Sequence, residues 1–152
     1  MGAVFFYHLT RRPLEAMLPP LLQRSLAQGW RVVVRGRDVA RMSWLDERLW
    51  LGPEDEFLAH GLSGGPHDAL QPILLTTDTA TGAECLICID GAAPAAKEVQ
   101  VAERACLIFD GNDNRAVEEA REHWKALTAA GCAAQYWSEA SGSWEKKAEA
   151  NT

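Results

Sequence analysis

No apolar run in the chain approaches the roughly 18 residues of a membrane-crossing helix, so no span is expected. The opening Met-Gly-Ala-Val-Phe-Phe has neither a basic stretch nor a long apolar core. That argues against an export signal and makes the cytoplasm the expected compartment. Gly2 invites myristoylation, but Phe6 stands where Ser or Thr is wanted. Positive charge is also short: 15 Lys and Arg face 21 Asp and Glu, a net charge of −6. Broad non-specific binding of nucleic acid needs many bases against phosphates, so any contact with DNA should be indirect, although a local basic patch stays open. Glycine is absent from the first strand-to-helix turn, His8-Leu9-Thr10-Arg11-Arg12-Pro13, where nucleotide-binding folds bring backbone N–H groups to phosphate. The Gly61–Gly65 loop has neither Gly-x-Gly-x-x-Gly nor Gly-Lys-Ser/Thr. Arg11 and Arg12 then read as a solvated pair.

No Gly-x-Ser-x-Gly elbow is present. His8, His60, His67 and His123 fall into no nucleophile–base–acid pattern, although Ser63 and His67 share a loop. Four cysteines without an export signal imply reduced thiols, not a disulfide framework. Cys85-Leu-Ile-Cys88 lies inside a predicted strand, where residues i and i+3 point to opposite faces, so its sulfurs should diverge. A zinc site would need two more ligands at no recognised spacing. No catalysis, metal or cofactor is expected. Two rivals remain: a nucleotide-acting α/β enzyme that depends on Arg11 and Arg12, and a thiol–disulfide protein using Cys85 and Cys88, which requires one thiol of depressed pKa.

The 152 residues suit one domain. Strands are predicted at Ala3–Leu9, Trp30–Val34, Ile73–Thr76, Cys85–Ile89, Ala105–Phe109 and Ala133–Trp137. Helices are predicted from Pro13 to Gln28, from Asp38 to about Leu51 and from Asp113 to Ala130, with a helical turn between Pro94 and Glu103. Pro19-Pro20 predicts a kink or a late start in the first helix. The alternation implies an α/β fold: a single three-layer domain over residues 1–147, with a mostly parallel sheet flanked by helices, Rossmann-like but without a nucleotide site. Residues 148–152 are expected to be a disordered tail.

The second helix ends in the most informative stretch, Trp44 to Leu62: Trp-Leu-Asp-Glu-Arg-Leu-Trp, Leu-Gly-Pro-Glu-Asp-Glu, then Phe-Leu-Ala-His-Gly-Leu. Val39, Met42, Leu45 and Leu49 form the stripe for the core. Trp50 falls on the polar side, followed at once by Pro53 and Phe57. Either the following loop folds back over Trp50, or this is apolar surface left for a partner. Leu-Asp-Glu-x-Leu-Trp followed by Phe-Leu-x-His-x-Leu resembles the chi subunit of bacterial DNA polymerase III holoenzyme. The resemblance continues in Phe-Phe-Tyr-His-Leu (Phe5–Leu9), Gly-Trp-Arg-Val-Val-Val (Gly29–Val34), Ala-Arg-Glu-His-Trp-Lys-Ala (Ala120–Ala126), Tyr136-Trp137 and Gly-Ser-Trp-Glu-Lys-Lys (Gly142–Lys147).

The resemblance implies a non-catalytic accessory subunit of the DNA polymerase III clamp-loader assembly, a component of a nucleotidyltransferase. It would bridge that assembly to single-stranded DNA-binding protein (SSB). In the family, basic and aromatic residues around the last helix receive the acidic C-terminal tail of SSB, which ends in an apolar residue and a free carboxylate. Here Arg121, Trp124 and Lys125 match that region, with Lys146 and Lys147 nearby in sequence. Val117 stands where some relatives carry a basic residue, which implies a weaker or shifted site. The family's second surface, for the psi subunit or another clamp-loader, replication or repair partner, maps to Trp50, Pro53 and Phe57. From the residues alone, Arg121 and Lys125 lie one helical turn apart and read equally as a solvated ridge paired with Glu118 or Glu122.

Overall fold

The computed structural model describes residues 2–11, 13–50, 60–62, 71–77, 83–139, 141 and 143–151, with the backbone alone of Trp50. Short runs of β-branched and aromatic residues become strands because they pack well on a pleated surface and are too short for helices. In chain order the elements are β1 (Ala3–Leu9), α1 (Leu14–Ala27), β2 (Val32–Arg35), α2 (Val39–Trp50), β3 (Gly61–Leu62), β4 (Ile73–Thr76), β5 (Cys85–Cys88), α3 (Ala96–Val101), β6 (Arg104–Asp110), α4 (Asn114–Ala129), β7 (Ala133–Ser138) and β8 (Glu145–Ala150). Among the described residues the strands form one sheet in the order β3-β4-β2-β5-β6-β1-β7-β8. All pairings are parallel except that of β7 with β8.

Two cores sandwich the sheet. Leu14, Leu18 and Leu22 of α1 and Met42 and Leu45 of α2 pack on Val32, Val34, Ile87 and Ile108. Val99 of α3 and Ala120 and Leu127 of α4 pack on the other face, against Val4, Phe6, Val33 and Leu107. The result is the expected single α/β domain of three layers. Its central strands are buried on both faces, which is why they read as continuous apolar runs rather than alternating ones. Arg35 is the exception in β2, only 6% exposed. Its guanidinium donates to both carboxylate oxygens of Glu98 in α3, at 2.9 and 2.6 Å. That hydrogen-bonded pairing holds the Glu98 carboxyl below the ordinary carboxylate range.

Three expectations differ from what is found. The first helix starts at Leu14 and continues through Pro19 and Pro20. Met17, Leu18, Leu21 and Leu22 face the core. Pro20 and Ala16 are exposed, and Pro19 and Glu15 are partly so. The carbonyls of Glu15 and Ala16, which lose N–H partners to the prolines, are thus on the wet side of the helix. In α2, Met42, Leu45 and Leu49 are buried, but Val39 is 68% exposed. It is the first helical residue, so the stripe is interrupted at the helix end. Finally, residues 148–150, expected in a disordered tail, belong to β8. Glu145–Ala150 has little β propensity of its own. It is held by the ladder to β7 and by Asn151, whose side-chain amide donates to Thr128 O and Cys132 O, both at 3.0 Å. As an edge strand rich in Glu and Lys, it protects the sheet from pairing further.

Candidate functional site

Asp113 starts α4 by accepting the Arg115 N–H on Oδ1 at 3.0 Å, leaving the helix to lay one stripe on the sheet. Ala120 and Leu127 are buried, while Val117 and Trp124 are half-buried along the flank nearest β7. The Trp124 indole meets Phe6 edge-on at 5.2 Å and Tyr136 edge-on at 6.1 Å. Tyr136 also stacks on Phe6 at 6.4 Å and lies 5.9 Å from Phe109. Trp124 and Tyr136, both half-buried, leave the edge of this ring cluster facing solvent between α4 and β7, an apolar notch.

Arg121 and Lys125 are exposed on this flank. Among the described residues neither forms an ion pair, so the pairing with Glu118 or Glu122 does not occur. Arg121 stands one turn before Trp124 on α4; burial pushes the Tyr136 phenol up, and the charge of Arg121 pulls it the other way. The Tyr136 hydroxyl lies 2.7 Å from His8 Nδ1. The lysines of β8 are placed differently. Lys146 pairs across the ladder with Trp137, on the face opposite Tyr136, and binds Glu149 at 3.0 Å. The sheet thus separates it from Arg121. Lys147 binds Glu145 at 2.9 Å, and Glu145 lies opposite Ser138 on the α4 side. Trp50, Pro53 and Phe57 lie outside the described residues, apart from the backbone of Trp50. His60 is buried, its Nε2 at 3.1 Å from both the carbonyl and the Oδ1 of Asp46 in α2.

A second concavity, of about 760 Å³, lies where β1 and β6 send their helices to opposite faces. Several of its charges satisfy one another. Arg41 binds Asp90 at 3.0 Å, and Glu119 takes Arg37 at 3.7 Å and Arg115 at 3.5 Å. Gly91 has φ 88°, which favours glycine, and a Cβ there would come within 2.5 Å of Glu119 Oε2 and push the carboxylate and Arg37 aside. The amides of the β1–α1 turn, which a phosphate would want, are also taken. Glu139 Oε1 accepts the N–H of Thr10 at 3.2 Å and of Arg11 at 2.9 Å.

The four cysteines are free and buried. Cys85 faces α1 and Cys88 faces α3 and α4, as strand geometry requires. The Cys85 thiol is lowered chiefly by a hydrogen bond from Cys106, while burial pushes Cys88 up to about 12. Two sulfurs on opposite faces of a sheet cannot make one redox pair. Among the described residues, no three or more His, Cys, Asp or Glu are grouped to hold a metal ion, and no helix is long and apolar enough to cross a membrane.

Residues 1–135 match the family model of the DNA polymerase III chi subunit, HolC. The chain belongs to that family. No curated protein matches it. Chi is an accessory subunit of the replicative polymerase, so the fold is to be read for binding surfaces before catalysis. The match ends within β7, so Tyr136 and the whole of β8 lie beyond it. Sequence reasoning missed His8 and Tyr136 as parts of the notch. The available signal was the Tyr136-Trp137 pair, because one ring of any such pair on a strand must face the covering helix.

Proposed function

We propose that this chi-family chain is a non-catalytic bridge between the clamp-loader assembly and SSB, taking the acidic SSB tail at the α4–β7 notch. Its contact with DNA is indirect, consistent with the net charge of −6. Cytoplasmic action follows from that role. The carrying observation is that Arg121 and Lys125, without an ion pair among the described residues, flank the half-buried ring of Trp124, which meets Tyr136. A tail that ends in an apolar residue and a carboxylate needs a cation next to an apolar recess. Arg121 can take the terminal carboxylate, the notch the last side chain, and Lys125 the aspartates upstream. Lys147 extends the basic side of the site, whereas Lys146 serves the opposite face. Trp50, Pro53 and Phe57 form the second surface, for psi or another clamp-loader, replication or repair partner.

The test is titration of a labelled SSB-tail peptide into wild type and Arg121→Ala at two salt concentrations. Wild type should bind more weakly as salt rises, and the variant should bind far more weakly at both concentrations. Equal affinities for the two proteins would remove the assignment.

A further inference from the structure

We propose that Tyr136 and His8 form a hydrogen-bond relay that makes the notch select a peptide's free terminal carboxylate over its carboxamide. The inference rests on the notch being an acidic-tail site and adds the group that distinguishes one chain end from another. Tyr136 is held by rings on several sides: Phe6, Phe109 and Trp124. Its hydroxyl meets His8 Nδ1 at 2.7 Å and feels the charge of Arg121. His8 is itself fixed. Its imidazole packs on Phe109 at 5.1 Å and lies so close to Gly111 that a Cβ there would overlap it.

A phenol has one proton to donate and lone pairs to accept with. In the relay His8 Nδ1–H donates to the Tyr136 oxygen. The phenolic proton is then left for the side where Arg121 lies. A carboxylate seated on Arg121 is acceptor-only, so it satisfies the guanidinium and the phenol together. A carboxamide in the same place has one acceptor and brings an NH₂ against a second donor. Because the hydroxyl is partly buried, a donor left unmatched there is costly, which turns the mismatch into selectivity. Tyr136 lies in β7 and His8 in β1, the strand beside it, so the sheet itself sets the two side chains together.

The probe is a fluorescein-labelled oligo-aspartate peptide ending in Phe, made once as the free acid and once as the C-terminal amide. Anisotropy titrations compare wild type with Tyr136→Phe, His8→Ala, His8→Asn and Arg121→Ala. Tyr136→Phe removes a single oxygen and keeps the ring packing. It should weaken binding of the acid about tenfold and tighten binding of the amide, so that the preference for the free acid is lost. His8→Ala should weaken the acid about threefold, and His8→Asn, which offers an N–H near the Nδ1 position, should recover most of that loss. If Tyr136→Phe binds the acid as wild type does while Arg121→Ala does not, the relay is wrong and the tail site stands. If Arg121→Ala also binds as wild type does, the tail site falls and takes the relay with it.

Discussion

Arg115 and Arg121 belong to one helix and lie on opposite flanks of it. On the Arg115 flank, charge is consumed internally: Glu119 holds both Arg115 and Arg37, and Asp90 holds Arg41. Glu139 caps the turn amides beside them. On the Arg121 flank two cations have no ion-pair partner among the described residues and stand next to rings that are half-exposed. The cleft sits where α/β folds usually bind ligands, yet its Arg37, Arg41, Asp90, Arg115 and Glu119 side chains are already engaged with one another. The notch keeps its charge available. For recognition, what counts is whether the charged groups are unpaired, more than how deep the hollow is.

The comparison can be broken in several ways. The largest effect belongs to the paired side of the molecule. Arg35→Ala leaves Glu98 partly buried without its cation and should cost about 3–5 kcal/mol of stability, read as a lower urea midpoint. Arg121→Ala should do the reverse: about 2 kcal/mol lost in tail-peptide affinity and no change in midpoint beyond about 0.5 kcal/mol. Arg115→Ala, made in parallel, should leave the affinity within about twofold, since its charge is spent on Glu119. A loss at Arg115 matching that at Arg121 would erase the distinction between the flanks.

Acid should find the paired side first. The folded-state pKa of Glu98 is depressed, chiefly by its hydrogen bonds from Arg35. Its contribution to stability is therefore fully present above the ordinary carboxylate range, near pH 4.3, and is lost as pH falls through the lower folded value. Glu98→Gln should flatten the acid limb of a stability-versus-pH curve. An unchanged limb would remove Glu98 from the acid sensitivity of the fold. The smallest effect is expected at Lys125. As an exposed rim charge, Lys125→Ala should slow association and shallow the salt dependence of tail binding while changing dissociation little, a pattern stopped-flow measurements can resolve.

Much of the architecture was legible because it depends on local pattern. Val32–Val34, Ile73–Leu75 and Cys85–Cys88 are short apolar runs between turn signals, and only a sheet covered on both faces buries such runs. The divergence of Cys85 and Cys88 followed from the period of a strand alone. The exposed Val39, the prolines inside α1 and the strand at Glu145–Ala150 were not legible. Each depends on which side of an element meets water or a neighbouring strand. The acidic and basic residues of β8 say little about pairing until β7 is beside them.

The sequence by itself determined the α/β alternation, the apolar stripes and the family, since these are written in spacing and in short ordered motifs. It also supplied Arg121, Trp124 and Lys125 as neighbours, because one helical turn brings them together. Tertiary structure decided the rest. Among the described residues it left Arg121 without an ion pair and brought Arg37 to Glu119. It turned Lys146 away from the notch and brought His8, from the start of the chain, to the hydroxyl of Tyr136, near its end. That last contact joins residues 128 positions apart, and no local periodicity encodes which side chains a sheet will set side by side.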